Sequence, residues 1–369
     1  MIDLSSKGEL VPNKLHLYIN GSQNIDYSQY KNSMPKNSFL SAIHKAGFII
    51  SGPEKADLFV SINHSSKSYK NFTKFGKTKN QCILLRFEPE CIFPAQYKKK
   101  VTDKYALVIT HGRKENSQGK FYDICFPYSS LPNPNLQMTN GISVEKILES
   151  DNFENLFKLD NWLKRNIIVS LIASNKVSPI KKSNYGLRRD LSKSFSKPIL
   201  EIYGDLWNAN FFKKILHRIR VAFHAIRNGC IPNITSIYGS FFTKYRNYVG
   251  PIVDKRPITE QSKFSLVVEN SNYHVSEKLF DALISGSIPI YFGPNLEDFG
   301  IPGKKITFRY EGTVQKLEEE ISNISNEEIT NYLKEIKIFL KSESFIEHWN
   351  QKIVYKKIIE KILLFTLEN

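Results

Sequence analysis

Short apolar runs, bounded by turn-forming residues and separated by polar stretches of helical length, recur along the chain and narrow its possible folds more than any other feature. KLHLYI (14–19), FIIS (48–51), ADLFVSIN (56–63), QCILLRF (81–87) and YALVIT (105–110) read as strands, with a short helix at 38–46. Runs of this length suit strands buried on both faces, and their alternation with helices predicts a parallel α/β sheet. A linking helix is expected at 143–164. A second set follows: strands NIIVSLIAS (166–174), PILEIYG (198–204), KFSLVVEN (263–270) and SIPIYFG (287–293), with helices at 186–196 and 276–284. Helices are expected at 314–324, 327–340 and 345–365. Two α/β units in 369 residues predict two Rossmann-like domains facing a cleft. The expected boundaries are 1–160, 161–343 and a terminal helix at 344–369 that packs back on the first domain.

Charge is the second constraint. The formal net charge is +16, and residues 164–227 hold 14 Lys/Arg against Asp190, Glu201 and Asp205. Such a balance favours polyanions, anionic membrane surfaces or phosphorylated substrates, or is simply a soluble basic surface. Within it, FFKKILHRIRVAFHAIR (211–227) places Phe212, Ile215, Ile219, Ala222 and Ile226 at helical spacing among basic residues. An ordinary domain helix, a helix docked on an anionic membrane and a helix facing a charged acceptor all fit that pattern. The N-terminus lacks a signal-like apolar run, and no apolar stretch reaches membrane-spanning length. Cys82, Cys91, Cys125 and Cys230 are scattered without a CxxC pair. A reducing cytoplasm is therefore the expected compartment.

The chemistry concentrates in KFSLVVENSNYHVSEKLFDALISGSIPIYFG (263–293). A buried strand ends at Glu269 and Asn270, and Ser276 stands where it would cap the next helix. Glu277 and Lys278 then open that helix, whose N-terminus attracts phosphate. Lysine adds a full positive charge, and the carboxylate can accept hydrogen bonds from sugar hydroxyls. The constellation suits a sugar nucleotide.

The stretch resembles the donor-binding signature of glycosyltransferase family 10, the α1,3/α1,4-fucosyltransferases, of bacterial type. The similarity rests on Phe264, Glu269, Asn270 and Ser271, then Ser276, Glu277 and Lys278, then Asp281, Ala282, Pro289, Phe292 and Gly293. Upstream, YRNYVGPIVDK (245–255), ASNK (173–176), Arg188, Arg189, Leu191 and IYG (202–204) extend it, so it covers 166–293 well and the first half loosely. The chain departs from the pattern at His274, where the family carries Tyr, with Tyr273 just before it. The resemblance implies a GT-B fold and inverting transfer of fucose from a GDP-sugar to a glycan hydroxyl.

By that resemblance, Lys278 holds the donor pyrophosphate, Glu277 binds ribose or sugar hydroxyls, and Arg188 or Arg189 supplies a second phosphate charge. Asn270 orders the loop or touches the donor; Glu269, Ser271, Tyr273 and His274 are further candidates. LLRFEPECIFP (84–94) is similar to the family segment that carries the base, which points to Glu88, with Glu90 as runner-up. His64 and His111 stand isolated and read as core or surface residues. No Asp-x-Asp triplet occurs, so neither metal nor cofactor is expected, and cationic groups would have to stabilise the leaving GDP. The acceptor implied is an oligosaccharide or lipid-linked glycan of a surface polysaccharide or lipopolysaccharide, with the enzyme cytoplasmic or peripheral to the inner membrane. Another GDP-linked deoxy sugar, a polyanion or nucleic-acid binder, and a glycan-binding protein without catalysis are the alternatives. No nucleic-acid motif supports the second.

Overall fold

The computed structural model describes residues 15–22, 39–111, 120–125, 144–180, 183–227, 243–308, 310 and 312–368. Its first sheet has six parallel strands: β1 (His16–Gly21), β2 (Ile49–Ile50), β3 (Leu58–Ile62), β4 (Cys82–Leu85), β5 (Leu107–His111) and β6 (Phe121–Ile124). Their spatial order is β2-β1-β3-β4-β5-β6. Side chains alternate between two faces, as strand geometry demands. Leu17, Ile19, Val60, Ile62, Ile83, Leu85 and Ile109 enter one core. Tyr18, Phe59, Cys82, Leu84 and Val108 enter the other. Covered on both faces, these strands read in sequence as continuous apolar runs.

The second sheet is also parallel: β7 (Ile167–Ile172), β8 (Leu200–Tyr203), β9 (Tyr248–Gly250), β10 (Ser262–Val268) and β11 (Ile288–Phe292), in the order β11-β10-β7-β8-β9. Buried Arg165 braces its base by donating to the carbonyls of Ser262 (2.8 Å), Leu156 (3.0 Å) and Ser285 (3.0 Å). β6 and β9, absent from the sequence reading, are short edge strands. FYDI and YVG offer too little apolar signal to stand out.

Two helices expected whole are broken. The linker is three short helices, Val144–Leu148, Asp151–Leu156 and Leu159–Leu163. Ser150 Oγ accepts from Phe153 N–H and starts the second of them afresh. The last helix breaks at Asn350 into Glu343–Trp349 and Gln351–Glu368. The break lets the chain change cores. Phe345 and Trp349 pack in the core of the second sheet, Trp349 with its ring centroid 4.7 Å from that of Phe280. Tyr355, Ile358 and Ile362 pack on the first sheet, with the Tyr355 and Phe39 centroids 5.2 Å apart.

The Phe211–Arg227 helix is turned against its pattern. Lys214, Arg218 and Ala225 face inward, whereas Phe212, Leu216, Ile219, Phe223 and Ile226 are exposed. Among the described residues, no helix is long and apolar enough to cross a membrane.

Candidate active site at the sheet edges

The two sheets meet at the carboxyl ends of their strands. β10 ends at Val268, and the next side chain, Glu269, is fully buried. Its carboxylate accepts from Ser276 N–H at 2.9 Å and from Ser276 Oγ–H at 2.6 Å. A carboxylate thus already occupies the start of the Glu277–Ile284 helix, where the dipole favours negative charge. Lys278 Nζ donates to Ser276 Oγ at 2.7 Å and lies 3.6 Å from Glu269. Gly293 closes β11 beside this network. A Cβ there would come within 2.8 Å of Glu269 Cγ.

Glu277 faces Lys255 Nζ at 3.7 Å, and Lys255 lies 2.9 Å from Asp281. Burial pushes the Glu277 carboxyl up, but Lys278 and Lys255 outweigh it and hold its pKa at about 2. Burial opposes the Lys255 ammonium, and Asp281 and Glu277 overcome it and raise its pKa. Burial keeps Asp281 above the usual carboxylate range. The signature folds first into an internal charge network. Lys278 and Glu277 keep part of their side chains exposed, 17% and 22%.

Arg188 is buried and donates to Val268 O (2.8 Å), Asn270 Oδ1 (3.1 Å) and Ser174 O (3.4 Å). It ties the end of β7 to that of β10. Arg189 donates to Lys176 O at 3.0 Å. Both arginines are therefore engaged with main-chain carbonyls. Asn270 holds the loop in place: its carbonyl accepts from Asn184 N–H (2.9 Å) and from Cys91 Sγ–H (3.4 Å), across the cleft. Ser178 Oγ donates to Cys91 O at 2.7 Å, a second link between the halves. Ser271 is buried, and Tyr273 is exposed.

Glu88 follows β4, on a loop fixed by residues that the sequence reading missed. Asn63 Oδ1 accepts from the N–H groups of Phe87 and Glu88, each at 3.0 Å. Gln96 Nε2 and Tyr97 Oη donate to Glu88 O at 2.7 and 3.1 Å. Asn63 sits at φ 52°, a left-handed conformation that Asn tolerates better than most residues. An Asn closing a strand-like run was its one available signal. Burial raises the Glu88 pKa; Lys176 and Lys278 pull it down, and Glu277 pushes it up. Glu90 lies half-buried on the same loop.

His111, read as isolated, ends β5 and meets His274, the residue at the departure from the pattern. Their Nδ1 atoms are 2.9 Å apart and their ring centroids 4.4 Å. His111 Nε2 donates to the carbonyl of Phe87, beside Glu88. An open cavity of about 800 Å³ lies between β6 and the C-terminal segments, lined by Tyr122, Asp123, Asn272, Tyr273, Asp298, His348 and Lys357 among others. It touches the signature loop through Asn272 and Tyr273. Glu88, Arg188 and Lys278 do not line it.

No protein-family profile matches the sequence. An Arabidopsis thaliana protein described as alpha-(1,4)-fucosyltransferase is 40% identical over 70 residues, 18% of this chain and 18% of that protein. The chain therefore aligns with less than a fifth of that curated relative. In three dimensions it is similar to a crystal structure of an alpha1,3-fucosyltransferase, with a TM-score of 0.50 and 16% identity over 97% of this chain and 91% of that one. It is also similar to Anabaena Alr3699/HepE in complex with UDP and glucose, with a TM-score of 0.52 and 11% identity over 95% and 99%.

The fold is GT-B.

In a GT-B frame, ligands occupy the crevice beyond the carboxyl ends of the strands. Glu88 and His111 stand at that edge of the first sheet, and Glu269, Asn270 and His274 at that edge of the second.

Proposed function

We propose that the chain is an inverting glycosyltransferase of the fucosyltransferase type, moving fucose from GDP-fucose to a hydroxyl of a glycan acceptor. One observation carries the reading: a half-buried carboxylate, Glu88, on the loop that Asn63 fixes after β4, lies within electrostatic reach of Lys176, Glu277 and Lys278 of the second half. The local sequence similarity to an alpha-(1,4)-fucosyltransferase supports the same class. In the proposed reaction Glu88 takes the proton of the acceptor hydroxyl as its oxygen bonds to the anomeric carbon. The bond from that carbon to the diphosphate oxygen breaks on the other face, and its electron pair leaves with GDP. Lys278 and the exposed Lys176 neutralise the departing charge. Glu277, held ionised, accepts hydrogen bonds from ribose or sugar hydroxyls. Arg188 and Arg189 contribute by shaping the strand ends, and through charge. The chemistry routes no step through a metal. The acceptor class is an oligosaccharide or lipid-linked glycan.

A second reading keeps the chemistry and changes the sugar. His274 stands where the resemblance expects Tyr and is joined to His111, so the contact to the sugar differs. That favours testing other GDP-linked deoxy sugars beside fucose. The experiment is a transfer assay with GDP-fucose and a panel of oligosaccharides ending in N-acetylglucosamine or glucose. GDP release that depends on acceptor, with a product heavier by one deoxyhexose, supports the proposal. Absence of both while GDP-fucose binds overturns it.

A further inference from the structure

The Phe211–Arg227 helix presents its large apolar side chains to solvent. Phe212 is 75% exposed, Leu216 54%, Ile219 45%, Phe223 68% and Ile226 61%. Their spacing of four, three, four and three residues draws one straight stripe along the helix. A helix of this length is about 25 Å long. The buried side carries Lys214, Arg218 and Ala225. A helix facing only water would be turned the other way. Scattered exposed apolar residues need no explanation, but a continuous stripe marks a surface that something covers.

The charge pattern identifies what covers it. Residues 211–227 contain five Lys/Arg and no Asp or Glu. Lys213 and Arg220 are seven residues apart, so by spacing they follow one edge of the stripe. Lys213 and Arg220 are exposed there. At the start of the helix, Lys214 and Lys244 line an open hollow of about 690 Å³ together with Asn210 and Thr243. A second copy of the helix would bring its exposed basic edge against the same edge with no carboxylate on either helix, the reverse of what paired helices need. A bilayer with anionic headgroups supplies both missing partners: acyl chains for the stripe and phosphates for its basic edge.

We propose that the Phe211–Arg227 helix docks the protein on an anionic phospholipid surface, lying in the interface plane with Phe212, Leu216, Ile219, Phe223 and Ile226 inserted. The docking stands apart from the chemistry proposed above. It bears on it in one way: His224 on this helix packs against Phe93 of the loop after Glu88, with ring centroids 5.4 Å apart. Docking would therefore hold the Glu88 loop next to the membrane surface.

The test is co-sedimentation with vesicles of phosphatidylcholine alone and of phosphatidylcholine with ~30% phosphatidylglycerol, at about 0.15 M salt. The wild-type chain should pellet with the anionic vesicles, stay soluble with the neutral ones, and be released as salt rises. Replacing Phe212→Glu and Phe223→Glu together should weaken partitioning at least ~10-fold while leaving thermal unfolding unchanged. A second variant, Lys213→Glu with Arg220→Glu, leaves the stripe intact and should remove the preference for anionic lipid. Wild-type protein that ignores anionic vesicles overturns the proposal, as do variants that bind as tightly as wild type. A solution dimer that the Phe212→Glu, Phe223→Glu variant dissolves, without vesicle binding, assigns the surface to a second copy instead.

Discussion

The Nδ1 atoms of His111 and His274 lie 2.9 Å apart and join the end of β5 to the loop after β10. The tautomers follow from the surroundings. His111 Nε2 faces the carbonyl of Phe87, which can only accept, so that nitrogen carries the proton. Burial lowers the His111 pKa to about 4 and holds His274 well below the usual histidine value, so both rings are neutral near pH 7. His111 Nδ1 must then accept, and His274 Nδ1–H donates to it. His274→Phe keeps a ring there but removes the Nδ1–H that His111 Nδ1 accepts. The expected loss is about 1–3 kcal/mol of stability in urea unfolding. An unchanged midpoint would show that the bond is not made.

Acid should destabilise the fold through its buried histidines. Burial lowers His64 as well, with help from Lys104, to about 4. The unfolded chain takes up these protons first, near the ordinary histidine value. Stability is therefore full above that value and falls as pH drops through the window from 6.5 to about 4. The loss is roughly 3 kcal/mol per histidine at the low end. Urea midpoints measured at steps across the window should fall, and His111→Gln should flatten part of the decline.

Glu88→Gln should preserve nucleotide binding and lower turnover ~10²- to 10⁴-fold. Because burial raises the Glu88 pKa, the acid limb of the wild-type pH–rate profile should lie above the ordinary carboxylate range. Below that limb the base is protonated and inactive. Wild-type turnover in Glu88→Gln would shift the assignment to Glu90.

Lys255→Met should leave Glu277 and Asp281 facing each other without their shared cation. The cluster is partly screened by solvent, so the expected cost is about 2 kcal/mol rather than that of a fully buried pair. Glu277 should also titrate higher, since Lys255 helps to hold it down at about 2. Carbon-13 chemical shifts of the carboxyl followed with pH would measure that change directly.

The α/β class was legible because strands covered on both faces read as unbroken apolar runs, as Cys82–Leu85 does. The edge strands carry no such run. The signature was legible because its residues fall within one short stretch, 263–293, and their order survives in sequence. The links across the cleft were not. His111 and His274 are 163 residues apart, and Cys91 and Asn270 are 179 apart, so no local pattern couples them. Arg188 shows a further limit. Composition reveals a cation, but only three dimensions reveal that its guanidinium is buried on Val268 O and Asn270. The Phe211–Arg227 helix was legible as amphipathic, but the direction of its apolar face was not.

The central claim is that the strand ends around Lys278 form a site selective for GDP-sugars. Calorimetric titration with GDP, GDP-fucose, GDP-mannose and UDP tests it most directly, at near-physiological salt and with Lys278→Ala in parallel. The account predicts selective binding of GDP and GDP-fucose, weakened at least ~10-fold by Lys278→Ala through loss of a charge-assisted contact. Equal, steeply salt-dependent binding of all four nucleotides, unchanged by Lys278→Ala, would contradict it and leave only a basic surface that attracts anions.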